Sequence, residues 1–386
     1  MNPTPTAKVS FTFDDGLTTA VQNAAPALAQ YGFTGTDYVI SGCVGTTGTC
    51  PANPGAKYMT WPQVTQLQNT YHWEIGSHSV THPELTQVNA TRLTNELVNS
   101  KATLQQHGFN PTSFATPYGD YNNAVLAGIS KYYASHRPFW DTESNNLWPY
   151  NDYLLYVKQV QAGVTVAQVK TYIDQAKQNN AWLILVLHDI KANPSANPDD
   201  YEYSTANLKQ IAAYVQAQNL PVVNVSAGTV ASTVNMMPNN SFDNGIADGW
   251  TTDAPQQVIK NTANNGSYPS PTNAIELTAA TGKSVHLFGP KLDVDSTASY
   301  MLKNFLNVDK LTSGEVTFYI DEYDQSGNWI SGQYKSGERS TFVEDINLAY
   351  KPSSINVKKA SLQIAVSAGS GIHAFVDNSQ WFKVSQ

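Results

Sequence analysis

Basic residues are scarce in this chain: 22 Lys and Arg stand against 30 Asp and Glu, for a net charge of −8 at pH 7 and a pI near 5.4. The basic residues form no long run, which argues against nucleic acid and anionic membrane surfaces as partners. Charged residues of both signs make up only 13% of the chain, about half the ~25% of an average soluble domain. Asn, Gln, Ser, Thr and Tyr fill the polar positions instead, a balance associated with secreted proteins. No apolar run approaches the ~18 residues of a membrane span. The opening MNPTPTAKVS lacks a signal-peptide core, so a secreted or cell-surface location implies a leader already removed. Only two cysteines occur, Cys43 and Cys50, bracketing a Gly/Thr-rich loop. A disulfide between them is expected and would contribute ~2–3 kcal/mol by loop entropy.

What the chain has in quantity is alternation. At 386 residues it is longer than one core usually serves, so two domains are expected. From residue 9 to about residue 230 apolar runs alternate with helical patterns: KVSFTF, then TTAVQNAAPALAQYG; GTDYVI, then WPQVTQLQNT; HWEIGS, then TRLTNELVNSKATLQQHG. TSFAT, NNAVLAGISKY, VAQVKTYIDQAKQNN, AWLILVL, TANLKQIAAYVQAQN and PVVNV continue the series. Repetition of this kind implies parallel strands covered by helices, as a barrel or an open sheet. After VSAGTVASTVNMMPNN the helical period vanishes, and short alternating runs such as EVTFYIDEYD and KASLQIAVSA imply an antiparallel sandwich. The expected organisation is an α/β domain over 1–232, a linker over 233–240 and an all-β domain over 241–386.

In parallel α/β folds functional groups collect at the carboxyl ends of strands. Four predicted strand ends carry chemistry: Asp14 and Asp15 after VSFTF; His78 and His82 after WEIGS; Pro117, Tyr118 and Gly119 after SFAT; His188 and Asp189 after WLILVL. Asp-Gly is a common turn dipeptide, so the two acids alone decide nothing. His78 and His82 stand at i and i+4, which one helical turn would bring to the same face. With Asp15 as third ligand they would suit a divalent ion such as zinc and leave coordination positions open, the pattern of a catalytic site. Asp14 as base and His188 as acid would then complete a set for metal-assisted acyl hydrolysis.

The ordered series TFDDG, HSVTH, ATPYG and LVLHDI, over residues 12 to 190, resembles the NodB-homology domain of carbohydrate esterase family 4, the polysaccharide deacetylases. The resemblance implies a distorted (β/α) barrel and metal-dependent removal of acetyl groups from polysaccharides. Carried over by motif, Asp14 is the general base, Asp15, His78 and His82 hold the metal, Tyr118 supplies a backbone N–H to the oxyanion and His188 is the general acid. Zinc is the expected metal, with cobalt or nickel as alternatives. The implied substrates are N-acetylglucosamine polymers (chitin-type, poly-N-acetylglucosamine or peptidoglycan), with O-acetylated xylan as the rival. A glycan-binding or adhesion protein that has lost catalysis is the rival of a different class.

Two departures from the family pattern stand out. Ala115 occupies the place of an arginine that steadies the base in better-known members, though Phe-Ala-x-Pro-Tyr-Gly occurs in a branch that includes poly-N-acetylglucosamine deacetylases. Arg137 is the candidate replacement. There is also no clear Asp-x-x-Asp-Trp to tune the acid histidine, and Asp141 is a weak substitute. Pro117, Tyr118, Arg137, Trp140, Trp148 and Tyr150 are candidates for substrate contact, the tryptophans and tyrosines because a pyranose presents C–H faces to an aromatic plane.

NNSFDNGIADGW and FVDNSQWFKV resemble the first and last strands of jelly-roll carbohydrate-binding modules, which often carry a structural calcium. Asp243 and Asp377 are candidate calcium ligands. Trp250, Trp329, Tyr334 and Trp381 are candidates for a glycan platform. A monomer acting on a polysaccharide or oligosaccharide is expected.

Overall fold

The computed structural model describes residues 6–46, 50, 55–139, 146–229, 234–261, 265–268, 273–368 and 371–384. The chain divides into two compact units, Pro5–Val230 and Ala231–Gln386. Residues 234–240, expected as a linker, belong to the second unit: Met236 N–H donates to Trp381 O, and Asn235 Oδ1 accepts from Trp381 N–H.

The first unit is a distorted (β/α) barrel. Its strands are β1 (Lys8–Asp15), β2 (Thr36–Val39), β3 (Glu74–Ser77), β4 (Ser113–Ala115), β5 (Ser135–Arg137), β6 (Lys158–Gln159) and β7 (Trp182–Leu187). They form one seven-stranded sheet in the order β5-β4-β3-β2-β1-β7-β6. Every pairing in it is parallel. A separate parallel pair, β8 (Asp189–Lys191) and β9 (Glu202–Ser204), follows the end of β7.

The helices α1 (Ala25–Ala29), α2 (Trp61–Tyr71), α3 (Ala90–Gln106), α4 (Asn123–Ile129), α5 (Val166–Gln178) and α6 (Thr205–Ala217) fall in the predicted segments. Their starts are chemically marked: Thr60 and Thr165 form capping boxes with Gln63 and Gln168, and Asn89 accepts from Arg92 N–H. Val9, Phe11 and Phe13 of β1 bury one face against this helical layer, whereas Ser10, Thr12 and Asp14 alternate to the other. PVVNV, predicted as a strand, makes only the isolated bridge Val9↔Val222 before a short helix, Val225–Thr229. Cys43 and Cys50 are disulfide-bonded.

The second unit is a jelly-roll sandwich. Its strands are β10 (Thr251–Thr252), β11 (Val258–Lys260), β12 (Ile275–Thr278), β13 (Val285–Phe288), β14 (Leu292–Asp293), β15 (Ser299–Leu311), β16 (Val316–Tyr323), β17 (Trp329–Glu338), β18 (Phe342–Tyr350), β19 (Lys359–Val366) and β20 (Ile372–Val384). One sheet runs β10-β13-β19-β16-β17, with β14 on β19, and the other runs β11-β12-β20-β15-β18. Alternation places Val316, Phe318 and Ile320 of β16 and Leu362, Ile364 and Val366 of β19 in the core between the sheets. Trp250 and Trp381, candidates for a platform, fill that core, while Trp329 and Tyr334 are exposed.

Candidate active site

Asp14 and Asp15 end β1, and the chain then turns at Gly16, whose φ is +72°. Asp15 itself sits at φ +79°, in a region that favours glycine. His82 (φ +58°) and Tyr118 (φ +59°) share that rare conformation. Three residues of one site thus hold strained backbone, a pattern that collects where function fixes the geometry.

His78 and His82 are not on a helical turn. They converge through an irregular loop that Glu96, buried on α3, holds from below: its carboxylate accepts from Val80 N–H (2.9 Å), Thr81 N–H (2.9 Å) and Thr81 Oγ1–H (2.6 Å). Ser79 Oγ accepts from His82 N–H at 2.9 Å. Sequence reasoning missed Glu96, although an acid on the apolar stripe of a helix is a signal for it.

His78 Nδ1 donates to Ala115 O at 2.8 Å, which leaves the Nε2 lone pair facing inward. His78 Nε2 and His82 Nε2 lie 3.2 Å apart, and each is 3.7 or 3.6 Å from Asp15 Oδ1. These are the edges expected of a donor triangle around an ion bonded at ~2.0–2.2 Å. Among the described residues this is the only group of three His, Cys, Asp or Glu ligand atoms so arranged. Two imidazole nitrogens and one carboxylate fit a borderline divalent metal.

Burial pushes Asp15 up to about 7, with Asp14 beside it adding to the shift. Burial also lowers both histidines, His82 to about 3, so their rings are neutral and ready to ligate at neutral pH. Burial would raise Asp14 too, but Arg137, His78 and His188 outweigh it and hold that carboxyl below its ordinary range. Asp14 is therefore an ionised, buried carboxylate.

Arg137, on β5, is fully buried. Its guanidinium donates to Asp14 Oδ1 and, at 3.2 Å, to Pro138 O, and it lies 4.4 Å from the ring centre of Tyr38. It stands behind the Asp14 carboxylate and lines neither of the two cavities that Asp15 and His188 share, unlike the expectation of substrate contact for that residue. His188, at the end of β7, has Nε2 3.9 Å from Asp14 Oδ2, and burial lowers it to about 4.

Asp14, Asp15, His78, His82, Tyr118 and His188 all line one cavity of about 370 Å³. Thr116, Phe139 and Tyr201 line it as well. Tyr118 is 45% exposed there, its ring edge-on to His82 at 4.6 Å. A second cavity of about 350 Å³ shares Asp15, His188 and Tyr201 with it.

Other candidates lie elsewhere. Pro117 is buried. Trp148 is half-buried against the cluster of Phe139, Tyr150 and Trp182, and it lines neither cavity. Tyr150 is core, with the Lys8 ammonium over its ring. Trp140 and Asp141 lie outside the described residues. In the second unit, Asp243 Oδ2 accepts from Ser241, while buried Asp377 Oδ2 accepts from Ser267 N–H at 2.8 Å.

Residues 1–134 match the family model described as polysaccharide deacetylase. The chain is 26% identical over 187 residues to the peptidoglycan-N-acetylglucosamine deacetylase PgdA of Listeria monocytogenes, a match covering 48% of this chain and 36% of that protein. The chain thus spans little more than a third of that curated relative. Among solved structures, the Xyl-CE4 domain of a xylanase from the hindgut metagenome of Trinervitermes trinervoides is 21% identical with a TM-score of 0.40, covering 57% of this chain and 89% of that one. A family 4 carbohydrate esterase from Streptomyces lividans is 20% identical with a TM-score of 0.37, covering 56% and 91%.

Proposed function

Because the first domain of this chain belongs to the polysaccharide deacetylase family, we propose that the protein is a metal-dependent hydrolase removing N-acetyl groups from an N-acetylglucosamine polymer. The observation that carries this reading is the convergence of Asp15, His78 and His82, flanked by Asp14 and His188, in one cavity. Asp15, His78 and His82 would hold a divalent ion, zinc most readily. Such an ion supplies Lewis-acid activation of water and of the acetyl carbonyl.

The remaining steps belong to the chain's own groups. Asp14, ionised beside Arg137, accepts the proton of the attacking water as its oxygen bonds to the acetyl carbon. His188, beside Asp14, must first take up a proton, which it then delivers to the sugar nitrogen as the C–N bond breaks; acetate and the amine leave, and Asp14 returns the water's proton to solvent. The Tyr118 backbone N–H supports the acetyl oxygen as it gains charge. Arg137 takes the role that an arginine at position 115 would have had. The second cavity, which shares Tyr201 with the first, would give room for neighbouring sugars of a chain.

The sandwich domain is proposed to hold glycan through Trp329 and Tyr334. Burial pushes the Asp377 carboxyl up to about 7, with Asp243 contributing, so a structural calcium there would favour the ionised pair. Location outside the cell accords with the disulfide, and no described helix is long and apolar enough to cross a membrane.

The test is metal analysis together with acetate release from N-acetylglucosamine oligomers, peptidoglycan and acetylated xylan. Stoichiometric metal and acetate from an N-acetylated substrate, both lost on chelation, are expected, with activity lost in Asp14→Asn. Acetate from xylan alone would make the protein an ester hydrolase. Bound metal with no acetate from any substrate would leave only glycan binding.

A further inference from the structure

Among the described residues the acid histidine of the site has no hydrogen-bonded support of the kind such a group normally has. An imidazole that must deliver a proton along one direction is usually held by a hydrogen bond to its second nitrogen. Among the described residues His188 accepts or donates no hydrogen bond, and its nearest charged group is Asp14 at 3.9 Å. Two aromatic rings pack against the imidazole. Tyr201 stacks on it with centroids 5.0 Å apart and planes 29° from parallel. Phe139 meets it edge-on at 5.2 Å and 88°. Phe139 and Tyr201 touch each other at 5.6 Å and 77°, which closes a three-ring cluster around the histidine.

Tyr201 is not a loop side chain that happens to rest there. Asp189 N–H, one residue after His188, donates to Tyr201 O at 3.1 Å, and the β8–β9 pairing continues directly from that bond. Lys191 ties the two short strands by bonding Asp189 (3.0 Å) and Glu202 (2.5 Å). Thr19 Oγ1 donates to Asp189 Oδ1 at 2.7 Å, fastening the pair to the segment that follows β1. The extra sheet outside the barrel therefore has a consequence at the site: it sets the Tyr201 ring against the His188 ring. Half of Tyr201 remains exposed and faces both cavities.

We propose that Tyr201 is the positioning residue of His188, its ring and that of Phe139 forming a clamp that orients the imidazole by stacking, where no hydrogen-bonded partner among the described residues does so. The inference rests on the proposed deacetylase reading for the role of His188, but the clamp itself is a statement about geometry. Stacking itself occupies neither imidazole nitrogen, so one can face the leaving nitrogen while the other meets solvent. Loss of the ring frees rotation about the His188 side chain and misplaces the proton donor, a defect that costs on the order of 10²-fold in rate.

The experiment compares Tyr201→Phe, Tyr201→Leu and His188→Ala with wild type, each checked for folding by thermal unfolding and for metal content. Acetate release is measured on a soluble N-acetylglucosamine oligomer and on 4-nitrophenyl acetate. Tyr201→Phe is expected to hold kcat within about twofold, and Tyr201→Leu to lower kcat by about 10- to 100-fold on the oligomer with KM little changed, while 4-nitrophenyl acetate, whose leaving group departs as the phenolate without a donated proton, is turned over nearly as by wild type. In the double variant Tyr201→Leu should add nothing to His188→Ala, since both act through one group.

A rise in KM confined to the oligomer would make Tyr201 a sugar contact only and overturn the proposal. So would an additive loss in the double variant. A readout independent of activity separates this from the function itself. The His188 ring protons should carry an upfield ring-current shift in proton NMR, kept in Tyr201→Phe and lost in Tyr201→Leu. A wild-type protein that releases no acetate yet shows this shift would sink the deacetylase reading and leave the clamp standing.

Discussion

Arg137 stands directly beside Ala115 in the parallel register of β4 and β5, and its guanidinium reaches the Asp14 carboxylate. The cation that the third motif lacks is thus supplied from the neighbouring strand, one lateral step away. Both groups are buried, Arg137 completely. Removing either charge leaves the other unpaired in a dry environment, which costs ~3–5 kcal/mol, whereas removing both together costs far less.

That relationship makes a pH prediction. Without the guanidinium, burial dominates at Asp14 and its carboxyl titrates higher. In Arg137→Met the acid limb of kcat/KM should move up by at least ~1 pH unit, since an adjacent arginine ordinarily lowers an aspartate by ~1–3 units. For stability the sign follows from the depressed value: in wild type the contribution is whole above the unfolded carboxylate range and is lost as pH falls through the folded value. Asp14→Asn with Arg137→Met should recover most of the thermal stability lost by either single change, without recovering activity. An unmoved acid limb in Arg137→Met would show that Arg137 does not hold the base.

Glu96 makes a second prediction, about metal affinity. Its carboxylate takes three hydrogen bonds from the two residues between Ser79 and His82, so it sets the shape of the loop that brings the two Nε2 atoms together. Glu96→Ala should weaken zinc binding by about 10- to 100-fold, the usual cost of losing an outer support. Competition against a fluorescent chelator measures it. Unchanged affinity in a folded variant would mean that the loop holds its shape without the carboxylate.

The barrel and the candidate metal-binding cluster were legible because periodicity and strand-end chemistry are local signals. TFDDG and HSVTH announced Asp15, His78 and His82, and the structure brings their ligand atoms together. The route was not legible: i, i+4 spacing implied a helical turn, but Glu96, distant in sequence, selects an irregular loop instead. β5 was missed because SHR is polar; its residues are buried by pairing with β4 and, for Arg137, by the ion pair with Asp14. Tyr201 was missed for a related reason, because β8 and β9 have three residues each and carry no periodicity. Aromatic residues were readable as a class and not as places: Tyr150, Trp250 and Trp381 turned inward, since large rings fill cores unless a strand edge exposes them.

A third prediction concerns Asp37, in the middle of β2. It pairs in register with Phe13 and Ile75, on the face where Phe13, Val39, Trp73 and Ile75 form the core. Neither carboxylate oxygen has a hydrogen-bond partner among the described residues, and burial, with Asp14 and Asp15 adding, raises the group well above its ordinary 3.8. The fold therefore holds Asp37 protonated. Its share of stability is whole below the unfolded carboxylate value and declines as pH rises toward the folded one. Asp37→Val, with a side chain suited to a buried strand, should stabilise the domain by ~1–3 kcal/mol at neutral pH, the cost of a buried unsatisfied polar group. The gain should shrink as pH is lowered toward 4. Thermal unfolding at several pH values measures both, and a destabilised variant would mean that the carboxyl has a role the core alone does not explain.

The last prediction separates the two domains by substrate. On β16 the residues alternating away from the core are Tyr319, Asp321 and Tyr323, and opposite them on β17 stand Tyr334, Gly332 and Trp329. Trp329 is 62% exposed and Tyr334 57%, yet neither ring is loose. Trp329 Nε1 donates to Asp321 Oδ1 at 3.2 Å, and Tyr334 meets Tyr319 edge-on at 5.4 Å. Gly332 places no side chain between them. Two fixed, outward aromatic rings beside polar groups suit the apolar C–H faces of a sugar chain, and this is the platform proposed for the sandwich. Trp329→Ala combined with Tyr334→Ala should reduce retention on insoluble chitin by ~30-fold or more, as loss of an aromatic anchor worth at least ~2 kcal/mol requires. Acetate release from a soluble tetramer should be unaffected, because neither residue belongs to the barrel. Retention equal to wild type would remove the platform from this face, whereas slower turnover of the soluble tetramer would show that the two aromatic residues act on catalysis instead.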